Sequence, residues 1–328
     1  MKSITITGGC GFIGRNLTRI LLERGDRVRI LDNLSVGTEA ELARVAPVQH
    51  TTDWPANGTV IGLIVGDIRD RAACAAALTG ADAAVHLAAQ SGVMPSIESP
   101  MFDCETNVLG TLNLLQACVQ QGTGQFVFAS SSAPLGETTP PVHEGLPARP
   151  MSPYGASKLA GEGYCSAYFH SFGINTTALR FSNVYGPGSA HKGSVVARFF
   201  RSAIEGKPLT IYGDGEQTRD FIYIDDLCSA ILGALDSDAG GETFQIATFH
   251  ESTVNEIATH VRRLVERDCG VRVEIEHTGA RKGEIVRSFS DISKARSRIG
   301  YEPKMPLEEG LERTWTWFRE NYQVDAKP

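Results

Sequence analysis

The sequence predicts an α/β fold: a doubly wound parallel sheet, followed by a smaller mixed α/β part. Three observations predict it. A strand runs into a glycine-rich turn and a helix at the very start, an acidic residue closes the second strand, and strand-like and helical stretches alternate to about residue 180, after which the rhythm changes.

The first element is the alternating stretch Lys2-Ser3-Ile4-Thr5-Ile6-Thr7, whose period of two is that of a strand. It meets Gly8, Gly11 and Gly14, spaced GxxGxxG, and Leu17, Ile20 and Leu21 then recur at helical spacing until Gly25 stops the helix. A second strand over residues 28–31 ends at Asp32, eighteen residues past Gly14. Strand, glycine turn, helix, strand and acid in this order make a dinucleotide-binding βαβ unit, so the sheet is expected to be of Rossmann type. Glycines let the backbone approach a pyrophosphate at the helix N-terminus, where unpaired N–H groups and the helix dipole favour anions. Asp32 would accept hydrogen bonds from the adenosine ribose and repel a 2′-phosphate, which selects NAD over NADP.

Further strands are expected at residues 60–65, 83–87, 125–129 and 175–180, with the polar, Pro/Gly-containing stretch 46–58 read as a surface loop. Beyond Phe181 come a helix over residues 194–204 and another over 253–265, in which Glu256 completes a capping box and Val254, Ile257, Val261 and Leu264 form the apolar stripe. The expected division is a cofactor domain over residues 1–180, with later segments returning to it, and a substrate domain over 181–328. Trp315 and Trp317 belong to a C-terminal helix, with at least one packing it onto the body, and His143 reads as a surface residue in a Pro-rich loop.

Composition suits a cytosolic enzyme. A chain of 328 residues can bury a large core, its first strand leaves no room for a signal peptide, and no apolar run approaches the length of a membrane span. Seven scattered cysteines lack metal-ligand spacing and read as reduced small side chains, so no metal is expected. A net charge of −7 disfavours a nucleic-acid surface and leaves an anionic ligand to a few local arginines.

The chemistry is expected in Ser152-Pro153-Tyr154-Gly155-Ala156-Ser157-Lys158. It sets a phenol and an ammonium four residues apart just inside a helix start, on one helix face. A phenol ionising near pH 10 is inert as a base, but an adjacent lysine cation and a positive cofactor ring favour the phenolate; bringing its pKa to about 7 takes roughly 4 kcal/mol. Tyr and Lys at this spacing also occur on ordinary helix surfaces, and the pair gains its weight from the glycine turn at the other end of the cofactor domain.

With both in place the chain resembles the extended short-chain dehydrogenase/reductase family, within it the nucleotide-sugar epimerases and dehydratases. The resemblance runs from Ile4 to about Tyr322. Its further motifs are Gly66-Asp67-Ile68, His86-Leu87-Ala88-Ala89, Asn107-Val108-Leu109-Gly110-Thr111, Ser130-Ser131-Ser132, Arg180-Phe181-Ser182-Asn183-Val184-Tyr185-Gly186-Pro187 and Gln217-Thr218-Arg219-Asp220-Phe221. What the resemblance implies for NAD is contact with Gly8, Gly11, Phe12, Ile13 and Gly14 at the turn, Asp32 and Asn33 after the second strand, and Asp67 and Ile68 on the adenine side. Leu87, Ala88 and Ala89 would lie under the pyrophosphate, and Asn107, Ala129, Tyr154, Lys158 and Phe181 complete the set.

For the substrate, the resemblance implies catalysis by Tyr154, Lys158 and Ser131, the serine five residues before Gly136, and contacts from Ser91, Ser132, Asn183, Val195, Arg219, Arg281, Glu284 and Ser288. Arg219 and Arg281 would grip a diphosphate and Glu284 a nucleotide ribose. Similar dehydratases carry Asp-Glu directly after the catalytic Ser/Thr and similar decarboxylases a glutamate at the second position; Ser132 and Ala133 stand here. Epimerisation at C4 of a UDP-hexose is therefore the implied reaction, with uronate epimerases, decarboxylases, dehydratases and ketosugar reductases as nearby alternatives and a non-catalytic NAD-sensing scaffold as a distant one. Ser288 is small where hexose-only epimerases are bulky, which leaves space for an acetamido group. Leu135 replaces a pocket-lining tyrosine and would make the site more apolar. Helices near residues 107–118 and 154–170 form a dimer interface in relatives, so a homodimer is expected.

Overall fold

The structure is a computed structural model and describes residues 1–280 and 286–322. Seven strands of the main sheet come from the first 181 residues of the chain: β1 Ser3–Thr7, β2 Arg27–Asp32, β3 Val48–His50, β4 Ile61–Val65, β5 Ala83–His86, β6 Gln125–Ser131 and β7 Asn175–Phe181. An eighth, Glu242–Ile246, is added from the second half beside β7. Spatial order from that edge is Glu242–Ile246, β7, β6, β5, β1, β2, β4, β3, and every pairing is parallel.

Because the strands are parallel, all their C-terminal ends lie along one edge of the sheet. The order of construction reverses between β1 and β5, and a crevice opens where the two crossovers leave in opposite directions. The ends of β1, β2, β5, β6 and β7 carry Gly8, Asp32, Leu87, Ser131 and Phe181, so five segments far apart in sequence converge there.

Pleating sends successive side chains to opposite faces. Along β6, Val127 joins one apolar core while Phe126 and Phe128 join the other, against Leu114, Leu115, Cys165 and Tyr168. The first core is the larger and continues through Leu17 and Leu21 of the helix Phe12–Glu23 into the second half of the chain, where Phe200 stacks on fully buried Trp315 at 5.6 Å. Trp317 is only partly buried on the same helix, Leu307–Asn321.

Stretch 46–58 differs from its reading as a loop, since Val48–His50 forms the edge strand β3 on β4. Its three residues are largely exposed, so no apolar alternation marks them. Short strand pairs complete the second half: Phe221–Tyr223 with Asn183–Tyr185, Thr218–Arg219 with Ser252–Thr253, and Ile275–Thr278 with Leu209–Tyr212. Helix Val254–Cys269 carries the expected capping box, Thr253 with Glu256, and buries its apolar stripe. His143 is exposed. Among the described residues no helix is long and apolar enough to cross a membrane, and no group of three metal-ligating side chains could hold an ion.

Candidate active site

The turn after β1 is built on close approach. Gly8 has φ +70°, and a Cβ there would stand 2.7 Å from Ala88 N; one on Gly14 would stand 2.5 Å from Gly9 Cα. Gly11 caps the helix Phe12–Glu23 with no side-chain hydrogen bond, so Phe12 and Ile13 open the helix with its first amides uncapped. That pairing of a Cβ-free cradle with an uncapped helix N-terminus fits a pyrophosphate. Gly37 was not read from the sequence, yet a Cβ there would meet Gly11 N at 2.9 Å and the Cys10 carbonyl.

Asp32 is 8% exposed and accepts from Cys10 N at 2.9 Å and Leu34 N at 2.8 Å, which ties the glycine turn to the end of β2. Beside it Asn33 donates to Asp67 at 3.1 Å, and Arg69 forks onto the same carboxylate; the Arg69 hydrogen bonds hold the Asp67 carboxyl down at about 2. Ile68 is buried, and its carbonyl receives Asn113 Nδ2. Leu87, Ala88 and Ala89 lie half-buried past β5, with Ala88 N donating to Thr7 Oγ1.

Helix Pro153–Phe172 presents the phenol and the amine. Ser152 caps it by accepting from Gly155 N at 3.1 Å, and Pro153 takes the first turn, where its missing N–H costs nothing. Tyr154 stands in that turn, with the Ser131 hydroxyl at the end of β6 near enough to its phenol to favour ionisation. Ser131 Oγ also accepts from Ala133 N at 3.2 Å. Lys158 is buried, donates from Nζ to Ala129 O at 2.8 Å, and lies 4.8 Å from the Phe128 ring centre and 5.9 Å from that of Tyr154.

Burial and neighbouring groups of the protein act on both ionisations. Burial raises the Tyr154 phenol above its ordinary value, the Ser131 hydrogen bond pulls it down, and the Asp103 carboxylate raises it again. Lys158 is pushed down to about 8, by burial, against the opposing carboxylates of Asp103 and Glu162. Each group is thus biased towards its neutral form, because desolvation penalises whichever form is charged.

Asn107 completes this side. It lies in a π-helical turn, Glu105–Leu109, is 2% exposed, and clasps the backbone of Gln90 with Oδ1 to N at 2.8 Å and Nδ2 to O at 3.0 Å. The same Nδ2 reaches Asp103 at 2.9 Å and Ser157 Oγ at 3.2 Å. Asp103 had no sequence signal, since a carboxylate in a helix start is ordinarily a solvated one.

On the substrate side Ser132 lies half-buried after Ser131, Phe181 closes β7, Asn183 N donates to Asp220 O at 3.1 Å, Val195 begins the helix Val195–Ile204, and Ser91 is exposed after β5. Arg219 donates to Thr218 O and belongs to a strand braced by its neighbour Asp220. The buried Asp220 carboxylate accepts from Thr248 N at 2.8 Å, Phe249 N at 3.1 Å and Ser290 N at 3.4 Å, which sets the half-buried Ser288 segment beside the Arg219 strand. Arg281 and Glu284 lie outside the described residues. Leu135 is 2% exposed in the turn Ala133–Leu135 that follows Ser131 and Ser132.

Comparison with known proteins places these features in context. A model described as the NAD dependent epimerase/dehydratase family matches residues 4–247. The UDP-glucose 4-epimerase of Mycolicibacterium smegmatis is 34% identical over 328 residues, covering 97% of this chain and 99% of that one. Among solved structures, the UDP-glucose 4-epimerase of Thermotoga maritima with UDP-glucose superposes with a TM-score of 0.87 at 33% identity, over 98% of this chain and 100% of that one. That of Thermus thermophilus, in complex with NAD, gives 0.83 at 33% identity over 97% and 99%.

Proposed function

The chain belongs to the NAD-dependent epimerase/dehydratase family, and from that premise we propose that it is a UDP-hexose 4-epimerase working through a transient 4-ketosugar. One observation carries the choice within the family. Tyr154, Ser131 and Lys158 meet at the sheet edge, while Ser132 and Ala133, the two positions after Ser131, bring no carboxylate. The acid close to the phenol, Asp103, is 1% exposed and engaged by Asn107. Water elimination or decarboxylation needs an acid–base group beyond the phenol, whereas epimerisation needs only that the ketosugar turn over.

In this reading Tyr154 takes the C4 hydroxyl proton and returns it to the same oxygen. Ser131, beside the phenol, orients that hydroxyl. Lys158 holds its cation beside the phenol from a seat fixed by the Ala129 carbonyl. NAD, when bound, would supply the hydride acceptor and, once reduced, the donor for C4, and its oxidised ring would add positive charge that favours the phenolate. The glycine turn and Asp32 hold the cofactor's pyrophosphate and ribose, and Arg219 the substrate diphosphate, for which its planar fork is suited. Small Ser288 leaves space for UDP-GlcNAc beside UDP-glucose.

We also assign the protein to a homodimer in the cytosol. Supporting this are the exposed Leu109, Tyr164 and Phe172 around the helices Gly110–Gln121 and Pro153–Phe172, and seven free cysteines suited to a reducing compartment.

The test is proton NMR of UDP-glucose, UDP-GlcNAc and UDP-glucuronate, each incubated with the protein without added cofactor. Appearance of a galacto epimer, with kcat reduced about 10²- to 10⁴-fold in Tyr154→Phe, is expected. A pentose or a 4-keto-6-deoxy product would overturn the reading. Net reduction of a ketosugar that consumes added reduced cofactor would favour a reductase.

A further inference from the structure

Between β1, β5 and the helix Gly110–Gln121 runs a file of hydrogen bonds that the chemistry proposed above leaves unused. Ala88 N donates to Thr7 Oγ1 at 3.2 Å, Thr7 Oγ1 and His86 Nδ1 are 2.7 Å apart, His86 Nε2 and Thr111 Oγ1 are 3.0 Å apart, and Thr111 Oγ1 donates to Asn107 O at 2.6 Å. All of Thr7, His86, Thr111 and Asn107 are at most 2% exposed.

The direction of this file follows from counting protons. A hydroxyl has one to give and a carbonyl none. Thr111 commits its proton to Asn107 O, so His86 Nε2 must be the donor to Thr111. His86 Nδ1 then has a lone pair, and Thr7, which already accepts from Ala88 N, gives its proton there. Every polar atom of the file is satisfied only if the imidazole is neutral and protonated at Nε2. Burial, with the Lys158 charge behind it, pushes the imidazole down to about 3, which keeps it neutral.

The two ends of the file matter. Ala88 N is the atom that a Cβ on Gly8 would strike, so one end lies against the cofactor turn. At the other end is the π-helical turn, in which Gly110 N reaches back to Glu105 O and Asn107 turns inward to Gln90 and Ser157. Ser157 stands between Tyr154 and Lys158 on their helix. Such π turns inside α-helices are frequent at functional sites, and this one is anchored by the Thr111 hydroxyl on the Asn107 carbonyl, with His86 on Thr111 in turn.

We propose that His86 is a positioning residue: its imidazole spaces the Asn107 turn from the cofactor strands and thereby seats the helix turn bearing Tyr154 and Lys158. The proposal rests on the reading of Tyr154 and Lys158 as the acid–base pair. Its rival is an imidazole that merely fills the interior.

Two substitutions separate these. His86→Gln places an amide N–H where Nε2 stands and keeps the bond to Thr111; His86→Asn places its amide at the Nδ1 position, keeps the bond to Thr7 and releases Thr111. Histidine-labelled wild-type protein should show the Nε2–H tautomer by ¹⁵N–¹H NMR, unchanged between about pH 8 and pH 5. Epimerase kcat should fall by up to about 100-fold in His86→Asn and in Thr111→Val, with KM little changed and the double variant no worse, while His86→Gln stays within a few-fold of wild type. NAD copurifying with each variant should follow the same order. Equal kcat and equal NAD content in the Gln and Asn variants, or an Nδ1–H tautomer, would overturn the proposal. Wild-type protein inactive on every UDP-sugar counts against the function proposed above, and the tautomer and NAD content then still decide on His86.

Discussion

Tyr154 and Lys158 are driven in opposite directions by the same cause. Burial lifts the phenol and lowers the amine to about 8, so the lysine keeps its cation below that pH while the protein alone does not make a phenolate. If the lysine cation is needed, kcat/KM declines as pH rises through about 8, where that cation is lost. Asp103 raises both groups; removing its charge in Asp103→Asn, which keeps an acceptor for Asn107, should move that alkaline limb to lower pH in a rate profile. His86 gives a stability effect of opposite placement. Its folded-state pKa is depressed from 6.5 to about 3, so below about 6.5 the unfolded chain binds a proton that the folded one refuses. Stability then falls as pH drops towards 3, by up to about 1.4 kcal/mol per pH unit. Urea titrations at successive pH values should show a shallower slope in His86→Gln.

Helix starts bear unequal functional weight. Ser152 caps the Tyr154 helix and Thr253 caps Val254–Cys269, the latter in a full capping box. Either residue changed to Ala should lower stability by about 1 kcal/mol. Only Ser152→Ala should also lower kcat, since the phenol stands two residues beyond that cap and frays with it; paired denaturation and kinetic measurements check this. The two glycine-based elements read from sequence, the turn at Gly8 to Gly14 and its helix, are local in the chain. Gly37 is the contrary case: its need to be glycine arises from a loop folding back onto Cys10 and Gly11, and nothing in its neighbours announces that.

Across the molecule, a buried ion pair joins the helix that carries Tyr154 and Lys158 to the sheet. Glu162 accepts from Arg180 of β7 at 2.7 Å and from Ser130 of β6 at 2.6 Å, one turn beyond Lys158. A groove of about 960 Å³ runs from Asp67 and Arg69, on the side read as the adenine end, along Leu109, Leu112, Gln116 and Tyr168 of the face assigned to a second copy. Sedimentation should therefore give twice the chain mass, and Leu109→Asp should shift it towards the monomer; a monomeric wild type would remove that assignment.

What the sequence determined by itself is whatever depends on neighbours in the chain: the βαβ unit with Asp32, the caps, the Tyr154–Lys158 spacing on one helix face and the β-strand rhythm to Phe181. These are set by backbone periodicity and local sterics. Tertiary structure alone decided the placing of Asp103 behind the phenol, the inward turn of Asn107, the burial of Leu135, the bond from Lys158 to Ala129 and the addition of Glu242–Ile246 to the sheet. Each of these depends on burial or on partners tens of residues away. The charge state, conformation and exposure of a side chain are set by the groups that remove water from it, and those are brought together only when the chain has folded.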